Sequence, residues 1–268
     1  MTMSRGKVYL VGAGPGAPDL ITLRGARLLA RADIVFHDAL VHSGTLALAP
    51  QAEKIAVGKR CGRHSTAQRF INKRLIDAVQ RFRTVVRLKG GDPMLFGRAQ
   101  EEIGALQAAG IEVEVVPGVT SALAASAELG VSLTRRGMSR SVAFVTPRVG
   151  DGEDPADWIR SVIVADTAVL YMAARQAPAI AADLIAGGLQ PDTPVVMVEN
   201  ASLPEMTQTA TTLGALRHAP ERSAHGPALI LIGRVFERAA AGLRGGPAVS
   251  DAVAGSFDRI PSRLDHAA

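Results

Sequence analysis

Residues 8–22, VYLVGAGPGAPDLIT, decide the fold. The run VYLV at 8–11 is a short β-rich segment that stops at three glycines and a proline within five positions. The next segment, 22–31, sets Leu23, Ala26, Leu28 and Leu29 along one side of a helix. Strand, glycine loop, helix is the opening unit of an α/β domain, and the pattern repeats outward. Strands are expected at 33–37, 53–57, 84–88 and 111–116, and helices at 66–81 and 98–109. Gly110 sits where a left-handed residue ends a helix. Strand and helix alternating in this way predict a mostly parallel sheet with helices on its faces.

Pro117-Gly118 breaks the rhythm, and Thr120 or Ser121 can cap a small-residue helix at 122–129. A second set of strands is expected at 142–146, 168–172, 194–199 and 228–232, with the clearest intervening helix at 177–186. Two α/β lobes are therefore predicted, 1–118 and 119–238. Residues 239–268 lose periodicity and read as a flexible tail.

Three glycine-bearing loops follow predicted strands: Gly12–Gly16, Lys89-Gly90-Gly91-Asp92-Pro93 and Pro117-Gly118-Val119-Thr120-Ser121. In an open α/β sheet the carboxyl ends of the strands share one edge, so the three loops should converge on a ligand. Glycines let the backbone approach that ligand closely, and the Asp92 carboxylate could hold hydroxyls or a cation. The dinucleotide fingerprint fits imperfectly. It needs a glycine where Ala17 stands, although Asp38 supplies an acid about 20 residues on.

Composition narrows the classes. Of 268 residues 47% are hydrophobic and 21% charged, which excludes wholesale disorder. One cysteine, Cys61, excludes an internal disulfide, and six histidines at no ligand spacing argue against a metal site. No apolar run approaches the ~18 residues of a membrane span, and the first sixteen residues make a poor signal peptide. A soluble cytoplasmic protein without a membrane partner is expected. The net charge of +5 is uneven: residues 59–89 hold ten Lys and Arg against Asp77 alone. Such a field attracts polyanions, either nucleic acid or a small polycarboxylate. Aromatics at 4% leave few stacking platforms, so nucleic acid is disfavoured.

The motifs carry a resemblance. VYLVGAGPGAPDLITLRG, DIVFHDALV, VGKR, VVRLKGGDPMLFGRAQEE and VVPGVTSALAASAELGVSLTRRG are similar, in order, to those of the tetrapyrrole methylases. The likeness runs from about residue 7 to 238, and the RLKGGDP-x-x-FGR block with VGKR upstream resembles the branch that methylates uroporphyrinogen III. The resemblance implies a two-lobed fold, each lobe a mixed or mostly parallel sheet flanked by helices, with the active site in the cleft between lobes. It implies S-adenosylmethionine as methyl donor, S-adenosylhomocysteine as product, no metal, and a homodimer. Two methyl groups would go to ring carbons 2 and 7, giving precorrin-2 by way of precorrin-1.

Carried over by motif, the donor site comprises Pro15, Gly90, Gly91, Asp92, Leu95, Thr120, Ser121, Met172, Ala201 and Ala228. Asp38 of HDALV would accept a proton and Lys59 of VGKR would donate one. Arg98, Glu101 and Arg136 would hold the substrate, although Arg98 and Glu101 are also spaced for an ordinary helical ion pair. Two departures add positive charge in place of histidine: Arg135-Arg136 where the family has His-Arg, and Thr146-Pro147-Arg148 where it has Thr-Gly-His. A methylase of a later corrin intermediate, a donor-binding protein without turnover, and a dinucleotide oxidoreductase are the competing readings.

Overall fold

Apolar runs without polar alternation form the strands at the centre of the first sheet, because both faces of that sheet are covered. The computed structural model describes residues 6–57, 68–148, 157–219 and 226–244. Its first half runs β1 (Lys7–Gly12), α1 (Leu23–Ala30), β2 (Ile34–His37), α2 (Ser43–Ala47), β3 (Glu53–Ala56), α3 (Gln68–Ala78), β4 (Thr84–Lys89), α4 (Ala99–Ala108) and β5 (Val113–Val116). The five strands form one parallel sheet in the order β3-β2-β4-β1-β5.

Side chains alternate between its two faces. Val8, Leu10, Ile34, Phe36 and Val85 pack with Leu75 and Leu106 from α3 and α4. Val11, Val35, Val86 and Leu88 pack on the other side with Leu28 and Leu29 of α1. Each such fully buried aliphatic side chain contributes about 1.5–3 kcal/mol. Local chemistry sets the helix ends. The Thr22 hydroxyl accepts the Gly25 N–H at 3.1 Å to start α1. Gly110, at φ +69°, closes α4 as its position in the sequence suggests.

The second half runs α5 (Ser121–Glu128), β6 (Val142–Val145), α6 (Trp158–Val164), β7 (Thr167–Tyr171), α7 (Ala177–Ala186), β8 (Pro194–Glu199), β9 (Thr207–Thr212), α8 (Leu213–Arg217), β10 (Ala228–Gly233) and α9 (Glu237–Arg244). Its sheet has the order β6-β7-β10-β8-β9. Only β6 and β7 pair in parallel; β10 runs antiparallel to both its neighbours, and β9 antiparallel to β8. This lobe is thus mixed, and β9 is a strand that hydrophobic pattern does not announce. TQTATT sits at the sheet edge with no residue fully buried, so no apolar face marks it.

The helix α5 belongs to this second core, where Ala122, Ala124 and Ala125 pack with Val169, Val196 and Leu231. Helix α9 carries regular structure past residue 239, where the sequence loses its period, and Ala240 is buried. The tail read from the sequence therefore does not begin at 239. Ala239, Ala240 and Ala241 are good helix formers with no side chain long enough to reveal a period.

Candidate active site in the cleft

Loops after β1, β4 and β5 meet because these three strands are neighbours in a parallel sheet. Gly14 and Gly91 form an antiparallel bridge, with the Gly91 N–H donating to the Gly14 carbonyl at 2.7 Å. The Ala13 N–H donates to the Lys89 carbonyl at 2.8 Å. A Cβ on Gly118 would lie 2.3 Å from the Gly91 carbonyl oxygen, and one on Gly12 would lie 2.6 Å from the Gly118 backbone. The glycines serve loop against loop, not loop against ligand, at these two positions. Gly90 is different, since a Cβ there would meet nothing closer than Leu40 at 3.5 Å.

The same closeness explains Asp92. Its Oδ1 accepts the Met94 N–H and its Oδ2 the Gly118 N–H, each at 2.8 Å. The side chain expected to offer a carboxylate to hydroxyls or a cation instead ties the loop after β4 to the loop after β5.

The second lobe supplies the facing wall. Met172, Asn200 and Ser202, just past β7 and β8, adopt left-handed backbone, as do Phe96 and Arg98 in the first lobe. A non-glycine residue in that region is strained and held there by its surroundings. Ser202 Oγ accepts the Ala17 N–H at 3.0 Å, joining the first glycine loop to the second lobe. Thr120 stands at the N-cap of α5, yet its hydroxyl caps nothing and pairs with the Tyr171 hydroxyl at 2.7 Å. Burial pushes the Tyr171 phenol above its usual value. Phe96 and Phe144 lean on the Tyr171 ring, with centroids 5.1 and 6.2 Å away. Met172 is half exposed, Ala201 buried and Ala228 partly buried along this wall.

Beneath the loops lies a chain of charges. Asp38 follows β2, and its Oδ1 accepts from Arg87 Nη2 at 2.5 Å. Arg87 Nε donates to Glu102 Oε1 at 3.1 Å, and Lys89 Nζ contacts both Glu102 oxygens at 3.1 Å. Burial opposes the Arg87 charge, but Asp38 and Glu102 outweigh it and hold the guanidinium above its ordinary value. Burial, and then Arg87 nearby, push the Lys89 ammonium below the usual lysine range.

The family model for tetrapyrrole (corrin/porphyrin) methylases matches residues 7–217, which takes in every element of this cleft except β10. The chain is a tetrapyrrole methylase. It is 44% identical over 231 residues to uroporphyrinogen-III C-methyltransferase of Pseudomonas aeruginosa, covering 86% of this chain and 94% of that protein. Against siroheme synthase of Vesicomyosocius okutanii it is 43% identical over 234 residues, 87% of this chain. There the match spans about half of the relative's length, 50%. A crystal structure of uroporphyrin-III C-methyltransferase from Thermus thermophilus, complexed with S-adenosylhomocysteine, superposes with a TM-score of 0.77 at 40% identity. It covers 87% of this chain and 100% of that one.

In this methylase the substrate candidates sit differently from the donor candidates. Arg98 and Glu101 form a bidentate pair, Nε to Oε1 at 2.6 Å and Nη2 to Oε2 at 2.7 Å, both half exposed. The Arg98 hydrogen bond holds the Glu101 carboxyl below the usual carboxylate range. Arg136 is exposed in the turn closed by the Arg135 and Ser139 bridge. Lys59, Cys61 and the segment 149–156 lie outside the described residues. Pro15, Leu95 and Ser121 are partly buried along the loop edge.

Two readings of charge change. Arg87 and Lys89 belong to the basic stretch 59–89, but both are buried and paired with acids, so they add nothing to a surface field. Glu102, whose spacing in the sequence suits no more than a helical pair with Arg98, is fully buried and pairs with Arg87 and Lys89 instead. The available signal was two cations inside an otherwise apolar strand, TVVRLK, which can be buried only with partners.

Along this edge Gly90, Ala201 and Ala228 carry small side chains or none, which is compatible with a bulky donor lying against the backbone. Among the described residues no cluster of His, Cys, Asp or Glu could hold a metal ion.

Proposed function

We propose that this chain is an S-adenosylmethionine-dependent C-methyltransferase that converts uroporphyrinogen III through precorrin-1 to precorrin-2, methylating ring carbons 2 and 7. The observation that supports it most is the convergence of three glycine loops and Asp38 on one cleft edge. It occurs in a chain that matches the Pseudomonas enzyme along nearly its whole length.

When bound, the donor supplies an electrophilic methyl group on a sulfonium. Pro15, Gly90, Gly91, Asp92, Leu95, Thr120, Ser121, Met172, Ala201 and Ala228 are the residues proposed to hold it. Asp92 acts by fixing the shape of the two loops that carry most of the others. Methyl transfer from a sulfonium is downhill, so the residues chiefly align an electron-rich pyrrole carbon. The methylated ring is cationic until a proton departs, and Asp38 is the proposed acceptor. Its carboxylate sits at the end of β2 with its side chain about 30% exposed. Lys59 is the proposed proton donor. The eight carboxylates of the substrate call for arginines that can be freed. Arg98 fits that demand, because a surface pair with Glu101 is worth about 0–1 kcal/mol and yields to a better anion.

A homodimer and a cytoplasmic location belong to the same proposal. The second has the support that no helix among the described residues is long and apolar enough to cross a membrane. The test is anaerobic incubation of the purified chain with uroporphyrinogen III and methyl-labelled S-adenosylmethionine, with products followed by mass. Two labelled methyl groups on the tetrapyrrole are expected. Donor binding with no transfer to this substrate would overturn the proposal. Light scattering of the same sample tests the dimer.

A further inference from the structure

Four ionisable side chains run through the first lobe in alternating sign: Asp38, Arg87, Glu102 and Lys89. The last three are no more than 3% exposed. Burying such groups costs several kcal/mol each, and well-packed apolar residues commonly serve stability as well or better. A role beyond stability is therefore the question the arrangement poses.

Its geometry has a direction. Glu102 Oε1 accepts from Gln68 Nε2 at 3.0 Å, Arg87 Nε at 3.1 Å and Lys89 Nζ at 3.1 Å, and Oε2 accepts from Lys89. Arg87 Nη1 donates to the carbonyls of Leu88 at 3.1 Å and Phe36 at 3.5 Å. Every guanidinium nitrogen thus has an acceptor, and the group cannot rotate without losing several. Its remaining donor, Nη2, meets Asp38 Oδ1, the one member of the chain that reaches the cleft. Among the described residues Asp38 Oδ2 has one long contact, to the Gly90 N–H at 3.4 Å. The His37 ring, beside it, contacts the Asp38 carbonyl and not its carboxylate.

We propose that Arg87 and Glu102 are positioning residues for methylation: Glu102 orients Arg87, Arg87 fixes Asp38 through Oδ1, and Oδ2 is the oxygen left to take the proton. This rests on the reading of Asp38 as proton acceptor. Glu102 lies beside Glu101 in the first turn of α4, the helix whose N-cap is Arg98, and Lys89 leads into Gly90 and Gly91. The network therefore ties the proposed base to both the donor loop and the substrate-facing helix.

The test is a double-mutant cycle on the full chain, with initial rates measured against both substrates and adenosylhomocysteine binding by calorimetry. Glu102→Gln is one variant. Arg87→Met is the second, and it leaves Glu102 still paired with Lys89, so it retains a neutral interior if Glu102→Gln does not fold. Each is expected to lower kcat roughly ten- to hundred-fold. The KM for the tetrapyrrole and the affinity for adenosylhomocysteine should stay within about twofold. In an Asp38→Asn background the same substitutions should cost about threefold or less, because the carboxylate they position is gone. Equal losses of kcat in both backgrounds, or full kcat in Arg87→Met, overturn the positioning role. Full turnover by Asp38→Asn alone overturns the assignment of the base, and is seen before either variant is added.

Discussion

Asp92 shows how a side chain can matter to a ligand that it need not touch. Both its oxygens hold backbone N–H groups of neighbouring loops, so Asp92→Ala leaves two amides without acceptors. Each orphaned group costs about 1–3 kcal/mol where water cannot replace the partner. Lower thermal stability and weaker adenosylhomocysteine binding should appear together in Asp92→Ala. Asp92→Asn, which keeps one acceptor oxygen, should fall between. Calorimetry on the three proteins checks this, and stability lost with donor affinity unchanged would separate the staple from the site. The sequence puts Asp92 in the glycine loop after β4 but could not reveal its partners, because Gly118 lies 26 positions away. Arg87 and Glu102 were harder still. Their burial depends on β2, β4 and α4 packing together, which no local window records.

Among the elements, the central parallel strands and α7 were legible because long apolar runs and helical periods mark them. The edge strand β9 was not, since TQTATT offers no apolar face, and nor was the antiparallel entry of β10, since a buried run reads alike in either direction. Glycines were recognised as loop formers, but which of them bear a steric demand is a tertiary fact. Gly118→Ala places a Cβ against the Gly91 carbonyl, and should cost roughly 1–3 kcal/mol and weaken donor binding. Gly104→Ala, in the middle of α4 with open space around it, should instead stabilise by about 0.5–1 kcal/mol. Chemical denaturation of both variants checks the opposite signs. The start of β7 carries a further device. Asp166 accepts from the Arg140 and Ser141 N–H groups and from the Ser141 hydroxyl, which hold its carboxyl below its ordinary value of 3.8. A depressed carboxyl stabilises the fold above pH 3.8, and that contribution is lost as pH falls through the folded value. The wild-type melting temperature should therefore drop more steeply than that of Asp166→Asn as pH is lowered toward 3. Parallel melting curves across that range would show no divergence if the turn carries no such load.

Over the whole molecule, two cores meet along a seam that is also the proposed donor site. The seam is narrow in kind: the Ala17 to Ser202 hydrogen bond, Gly16 against Leu203, and the Tyr171 ring between Phe96, Phe144 and the Thr120 hydroxyl. Each core is closed on its own side, so changes at the seam should alter how the lobes meet without unfolding either. Tyr171 is the sharpest probe, because its hydroxyl and its ring make separable contributions. Tyr171→Phe keeps both ring contacts and removes one neutral hydrogen bond, worth about 0.5–1.5 kcal/mol. Tyr171→Ala removes the ring pairs as well, each worth about 0.5–1.5 kcal/mol beyond area burial. Adenosylhomocysteine affinity should fall a few-fold in the first variant and at least ten-fold in the second. The far-ultraviolet circular dichroism of both should match the wild type. The lobes are then coupled through Tyr171 and the donor loops report that coupling. An alanine variant that binds adenosylhomocysteine as tightly as wild type would mean that the loops alone, held by Gly12, Gly91 and Gly118, shape the site.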